Sequence, residues 1–169
     1  MRGFDHAASF GAYEGSLRSL IRLFKYAGMK PLARPLAAFL ERALSIDEHY
    51  DAIVPVPLHW RKRWSRGFNQ ADVLARLIAK KRGMPVWNAL RRRRATSVQA
   101  GLATAGRRRN VAGAFAIKGR HALKGKRILL IDDVMTTGAT AGACAAALKR
   151  GGAASVSLLT LARVDRRLT

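Results

Sequence analysis

The sequence predicts an α/β fold, a twisted and mainly parallel sheet flanked by helices. Two observations carry that prediction. Short apolar, β-branched runs alternate with amphipathic helical stretches, the pattern of parallel strands joined by right-handed crossovers. One of those runs, Ile128 to Ile131, reads as a strand buried on both faces and leads directly into two acids and a hydroxyl-rich turn. A chain of 169 residues suits one domain and can bury a sizeable core. Hydrophobic residues make up 49%, which argues against intrinsic disorder.

Taken in order, residues from Tyr13 to about Arg42 read as helical. Leu17, Leu20, Ile21 and Phe24 recur at helical spacing, with Arg18, Arg22 and Lys25 mostly on the other face. Gly28 and Pro31 punctuate the stretch, and Leu32, Leu36, Phe39 and Leu40 continue a second amphipathic helix. Asp51 to Val56 reads as a strand that Pro55 and Pro57 stop, because proline cannot donate to a ladder. A basic loop from His59 follows, with Trp60, Trp64 and Phe68 among arginines, and a helix is expected from about Gln70 to Lys81.

From Val86 to Ile117 both periods weaken, and Gly113 to Ile117 looks like a short strand re-entering the core. Long basic segments of this kind are often lids or binding loops, so residues 85–120 are expected to form a basic hood over the site. The helix after the central turn runs to about Arg150, Gly151 and Gly152 cap it, and Ala154 to Leu161 supplies a further strand. One domain over residues 1–169 accounts for the chain, with no internal repeat.

The centre of the chain is ILLIDDVMTTGAT, residues 128–140. Asp132 and Asp133 come at the strand's carboxyl end, where open α/β sheets place ligands. Thr136, Thr137, Gly138, Ala139 and Thr140 open an alanine-rich helix, and their hydroxyls and amides suit one phosphate group. No lysine sits in the turn, which excludes a triphosphate P-loop. Adjacent acids before a phosphate cradle suit a phosphorylated sugar, whose vicinal hydroxyls the carboxylates can accept. This run resembles the phosphoribosyl-diphosphate (PRPP) motif of type I phosphoribosyltransferases.

The formal charge is +22, and no acid falls between Asp72 and Asp132. Arg91, Arg92, Arg93 and Arg94, then Arg107, Arg108 and Arg109, lie in that interval. Such a field draws polyanions, whether diphosphates or nucleic acid; an arginine-rich proteome would produce the same charge with no dedicated partner. Cys144 is the single cysteine, and His6, His49, His59 and His121 are scattered without metal-ligand spacing, so no zinc site is expected. No apolar run approaches the roughly 20 residues of a membrane span, and the N-terminus lacks a signal-peptide pattern. A cytoplasmic protein is the expectation.

Several separated segments resemble the ComF family, the phosphoribosyltransferase-like proteins linked to natural competence. They are Tyr13-Glu14-Gly15 with Leu17-Arg18 and Leu23 to Gly28, VPVPLHWRKRWSRGFNQ at 54–70, RRATSVQAGLATAGRRRNVAGAF at 93–115, and LIDDVMTTGAT at 130–140. Members typically begin with a cysteine-rich zinc ribbon, whereas this chain starts shortly before its YEG segment, as a shortened member or one with a late-assigned start codon would.

The resemblance implies a type I phosphoribosyltransferase fold with PRPP as donor and Mg2+ held through the substrate rather than by direct protein ligation. By position it makes Asp132 and Asp133 the ribose-binding acids and Thr136 to Thr140 the 5-phosphate loop. Pro57, Leu58, His59 and Arg61 would lie at the pyrophosphate, and the two arginine clusters could close on the departing diphosphate. Two classes of function stand: transfer of phosphoribose to an amine or base, and a binding module using its basic face on single-stranded nucleic acid during DNA uptake. Trp60, Trp64 and Phe68 could stack bases in the second case, although aromatics at such spacing are more often core. A nucleoside monophosphate ligand, a homodimer and a competence-machinery partner fit either class.

Overall fold

The computed structural model describes residues 3–45, 48–58, 67–93 and 113–164. Its central sheet has four parallel strands in the order β1 (His6–Ala12), β6 (Ser155–Arg163), β5 (Arg127–Met135) and β2 (Ala52–Pro55). A single parallel bridge, Ile53 to Val86, prolongs the sheet beyond β2. The expected strands from Asp51, Ile128 and Ala154 are therefore present and parallel.

Helices cover both faces. On one side pack α1 (Gly15–Tyr26), α2 (Ala33–Ala43) and α3 (Gln70–Arg82); on the other lies α4 (Ala139–Arg150). The alternation of β5 divides the core between them. Leu129 and Ile131 join Ile21, Phe24, Leu40 and Ile78, while Ile128 and Leu130 join Cys144 and Leu148. Each such buried Leu, Ile or Phe contributes about 1.5–3 kcal/mol relative to exposure. The apolar run of β5 thus reads as a strand covered twice, and it is one.

The helical stretch after Tyr13 is broken where Gly28 and Pro31 were expected to punctuate it: Pro31 sits in a short 3-10 turn (Lys30–Leu32) that separates α1 from α2. A proline has no amide hydrogen to continue the helical ladder. Three features differ from expectation. β5 runs on through Asp132 and Asp133 to Met135, since β6 is long enough to pair with it there. The strand near Gly113 does not join the main sheet. It is β4 (Phe115–Ile117), antiparallel to β3 (Leu90–Arg92), and this ribbon sits over α4 with Leu90 and Phe115 buried.

The third difference is β1 itself, which no period announced. Apart from His6 and Phe10 its residues are small, none is fully buried, and it is paired to β6 along six registered positions, with Phe10 stacked on Phe39. Just before it, Asp5 accepts the amide of Val156 at 2.8 Å and the Lys149 ammonium at 2.6 Å. Gly3 lies so close to the first turn of α4 that a Cβ there would meet the Gly142 carbonyl oxygen at 2.4 Å. Phe4 is buried beside it. Among the described residues, no helix is long and apolar enough to cross a membrane.

Candidate active site

Because neighbouring strand residues point to opposite faces, Asp132 and Asp133 diverge. Asp132 lies on the α4 side, where its charge is felt by Cys144. Asp133 lies on the α1 side, where its Oδ1 meets the Lys25 ammonium at 2.9 Å. Both acids nevertheless reach one cleft of about 200 Å3 at the carboxyl edge of the sheet. Lys25, Arg92, Thr140 and the Val56–Leu58 segment also line it.

The two acids are not equivalent electrostatically. Protein atoms crowd Asp132, and this burial, reinforced by the Asp133 charge, pushes its carboxyl up to about 7. The Asp133 amide, donating to Asp132 Oδ1 at 2.9 Å, and the Lys25 charge pull in the other direction and lose. Burial also raises the Cys144 thiol, which is fully enclosed in the α4 core as a small apolar residue would be.

The turn after β5 is shaped by Gly138, whose φ of 72° lies in the left-handed region that favours glycine. Thr137 Oγ1 accepts the Ala139 amide at 3.2 Å, tying the turn to the first residue of α4. Phe4 and Met135 pack near Gly138 from below. Of the five turn residues, Thr140 lines the acid cleft, whereas Thr136 is exposed and forms no part of its wall.

Across the cleft, the chain leaving β2 is held by Asn69. Its side-chain amide donates to the Val56 carbonyl at 3.1 Å, while its Oδ1 accepts the Ala71 amide at 3.2 Å and caps α3. Pro57 and Leu58 form a partition, with the acid cleft on one side and a second hollow of about 370 Å3 on the other.

Residues 32–168 match the phosphoribosyl transferase domain family. The chain belongs to that family. Its relatives include competence protein F of Haemophilus influenzae, 32% identical, with 95% of this chain aligned to 73% of that one. The DNA utilization protein YhgH of Escherichia coli K12 is 34% identical, over 89% of this chain and 69% of that protein. Within the phosphoribosyltransferases the chain thus groups with the ComF proteins, as its separated motifs indicated. Among solved structures, the glutamine PRPP amidotransferase from B. subtilis superposes with a TM-score of 0.50 at 20% identity. The superposition takes 75% of this chain and a quarter (25%) of that one, and it shows the fold.

In this phosphoribosyltransferase fold the three described arginines of the expected lid, Arg91, Arg92 and Arg93, are dispersed. Arg91 is exposed on β3, Arg92 turns inward over the Phe115 ring at 5.5 Å, and Arg93 lines a separate depression beside Arg150. Strand alternation separates neighbours that a sequence reads as one cluster. Arg94, Arg107, Arg108 and Arg109 lie outside the described residues, as do His59 and Arg61. The contribution of Lys25 and the clamp made by Asn69 were not foreseen. For Asn69 a signal existed, an Asn directly before a helical period; for Lys25, a charge among others on an amphipathic helix, there was none.

Proposed function

We propose that this chain binds PRPP, or a nucleoside 5′-monophosphate, together with Mg2+, and transfers phosphoribose to an amine or base nitrogen. The observation that carries the reading is the convergence of Asp132, Asp133 and Thr140 on one cleft faced by Pro57 and Leu58. The acids would accept the vicinal ribose hydroxyls, and the Thr136–Thr140 turn would hold the 5-phosphate against the start of α4.

Among the described residues no three His, Cys, Asp or Glu side chains group as a metal cage. Asp132 and Asp133 are the side chains that would stand beside an ion brought in with the substrate, and such a Mg2+ would supply positive charge against the departing diphosphate. The bond from C1 to the diphosphate oxygen breaks with its electron pair leaving on oxygen. The nitrogen lone pair forms the new bond to C1, and that nitrogen then releases a proton. Arg92, half-buried at the cleft wall, is the described arginine best placed to contact the leaving group.

Calorimetric titration with PRPP and Mg2+ tests the reading. Ligand at a hundred times its dissociation constant should stabilise the fold by about 2.7 kcal/mol. Absence of binding at millimolar PRPP overturns it.

A second reading draws on the relatives named for competence and DNA utilization, and on the charge of +22. Single-stranded DNA would bind the basic surface weakly, with log affinity falling against log salt at a slope near −0.7 per phosphate contact. Affinity that hardly responds to salt would argue against it. The two readings are compatible.

A further inference from the structure

We propose that Lys25 is a positioning residue for the phosphoribosyl donor, holding Asp133 in place and screening the acid pair from the donor's phosphates. The inference rests on the reading above. Lys25 belongs to α1, upstream of residue 32 where the family match begins, so this cation comes from outside the matched region. Its side chain is only 13% exposed, and Asp133 is only 15% exposed. A lysine normally keeps its ammonium in water, and packing does not demand otherwise here. Ile21 and Phe24 already anchor α1, and the next residue, Tyr26, is open to solvent.

The donor brings several negative charges to a cleft that already holds two adjacent acids. Coulomb repulsion at such distances is substantial near a protein surface. An ammonium seated against one carboxylate offsets it, and three N–H donors allow Lys25 to keep Asp133 while giving a hydrogen bond to an arriving oxygen. The position in the last turn of α1 adds the favourable end of the helix dipole. A lysine that merely pinned α1 to the sheet would affect all ligands alike, whereas a screening lysine affects them in proportion to their charge.

The test titrates PRPP with Mg2+, and separately ribose 5-phosphate, into wild type, Lys25→Met, Lys25→Gln and Lys25→Arg, with circular dichroism alongside. The two neutral variants should lose at least about tenfold in PRPP affinity and about threefold or less for ribose 5-phosphate, because the interaction scales with ligand charge. Lys25→Arg should recover most of the loss. Equal losses for both ligands, or none, overturn the role of Lys25 while leaving the PRPP reading intact. Failure of both neutral variants to fold makes the lysine structural and overturns it too. Wild-type protein that binds neither ligand removes the functional reading and this inference together.

Discussion

The backbone amide of Asp133 donates to Asp132 Oδ1 at 2.9 Å, so the carboxylate on one face of β5 is braced by the residue that presents the other. This brace is too weak to keep Asp132 at ordinary acidity. Burial and the neighbouring charge hold its carboxyl at about 7 instead.

That imbalance sets a pH dependence. An unfolded aspartate titrates near 4, so between there and about 7 the folded protein binds more protons than the unfolded chain. Asp132 therefore lowers stability progressively as pH rises through that window, and the penalty is complete above it. Asp132→Asn should be more stable than wild type at pH 8, by an amount of the order of a few kcal/mol, and no more stable below pH 4. Urea denaturation at both pH values checks the difference. An advantage that does not change with pH would contradict the assignment.

Replacing both acids, Asp132→Asn with Asp133→Asn, removes two charges at nearly constant shape. Each lost charge-assisted hydrogen bond to a ribose hydroxyl is worth about 1.5–3 kcal/mol. PRPP affinity should therefore fall well over tenfold, while single-stranded DNA binding holds or improves slightly. PRPP binding equal to wild type would refute the ribose role of the acids.

At Gly138 the left-handed backbone, rather than crowding, forbids a side chain. A Cβ there would find Phe4 and Met135 at ordinary contact distances of 3.6 and 3.7 Å. Gly138→Ala should cost about 1–2 kcal/mol from the positive φ alone. It should also weaken binding of a nucleoside 5′-monophosphate, since the turn would have to shift. Thermal denaturation and calorimetry on the same preparation report both effects.

The hydroxyls of Ser9 and Thr160 meet at 2.7 Å between β1 and β6. Thr160 is fully buried, so Ser9→Ala leaves its hydroxyl without this partner, at a cost of about 1–3 kcal/mol. Adding Thr160→Val should restore much of the loss, because replacing both partners by apolar groups can be nearly neutral. Amide exchange along β1 should quicken in the single variant and slow again in the double. Equal destabilisation in both would indicate that the hydroxyl pair is not what secures the edge strand.

The central motif was legible because its chemistry is contiguous. A buried strand, two acids, a glycine that permits a left-handed turn and an alanine-rich helix follow one another from Ile128 to Arg150. Each is set by local propensity and burial pattern, and the parallel sheet follows from alternation of such units. The helices over Tyr13–Arg42 and Gln70–Lys81 were legible for the same reason.

What only the tertiary structure decided are the relations between distant segments. β1 has little apolar period of its own, and its place comes from β6, whose Thr160 lies 151 positions from Ser9. Strand alternation turned Arg92 to the opposite face from Arg91, and pairing of β3 with β4 put Arg92 at the cleft wall. The sequence by itself determined the buried strand, the two acids and the glycine turn that follow one another at the sheet's carboxyl edge. The packing of α1 against the sheet decided that Lys25 would meet Asp133, because an ion pair between distant segments depends on where two backbones come to rest.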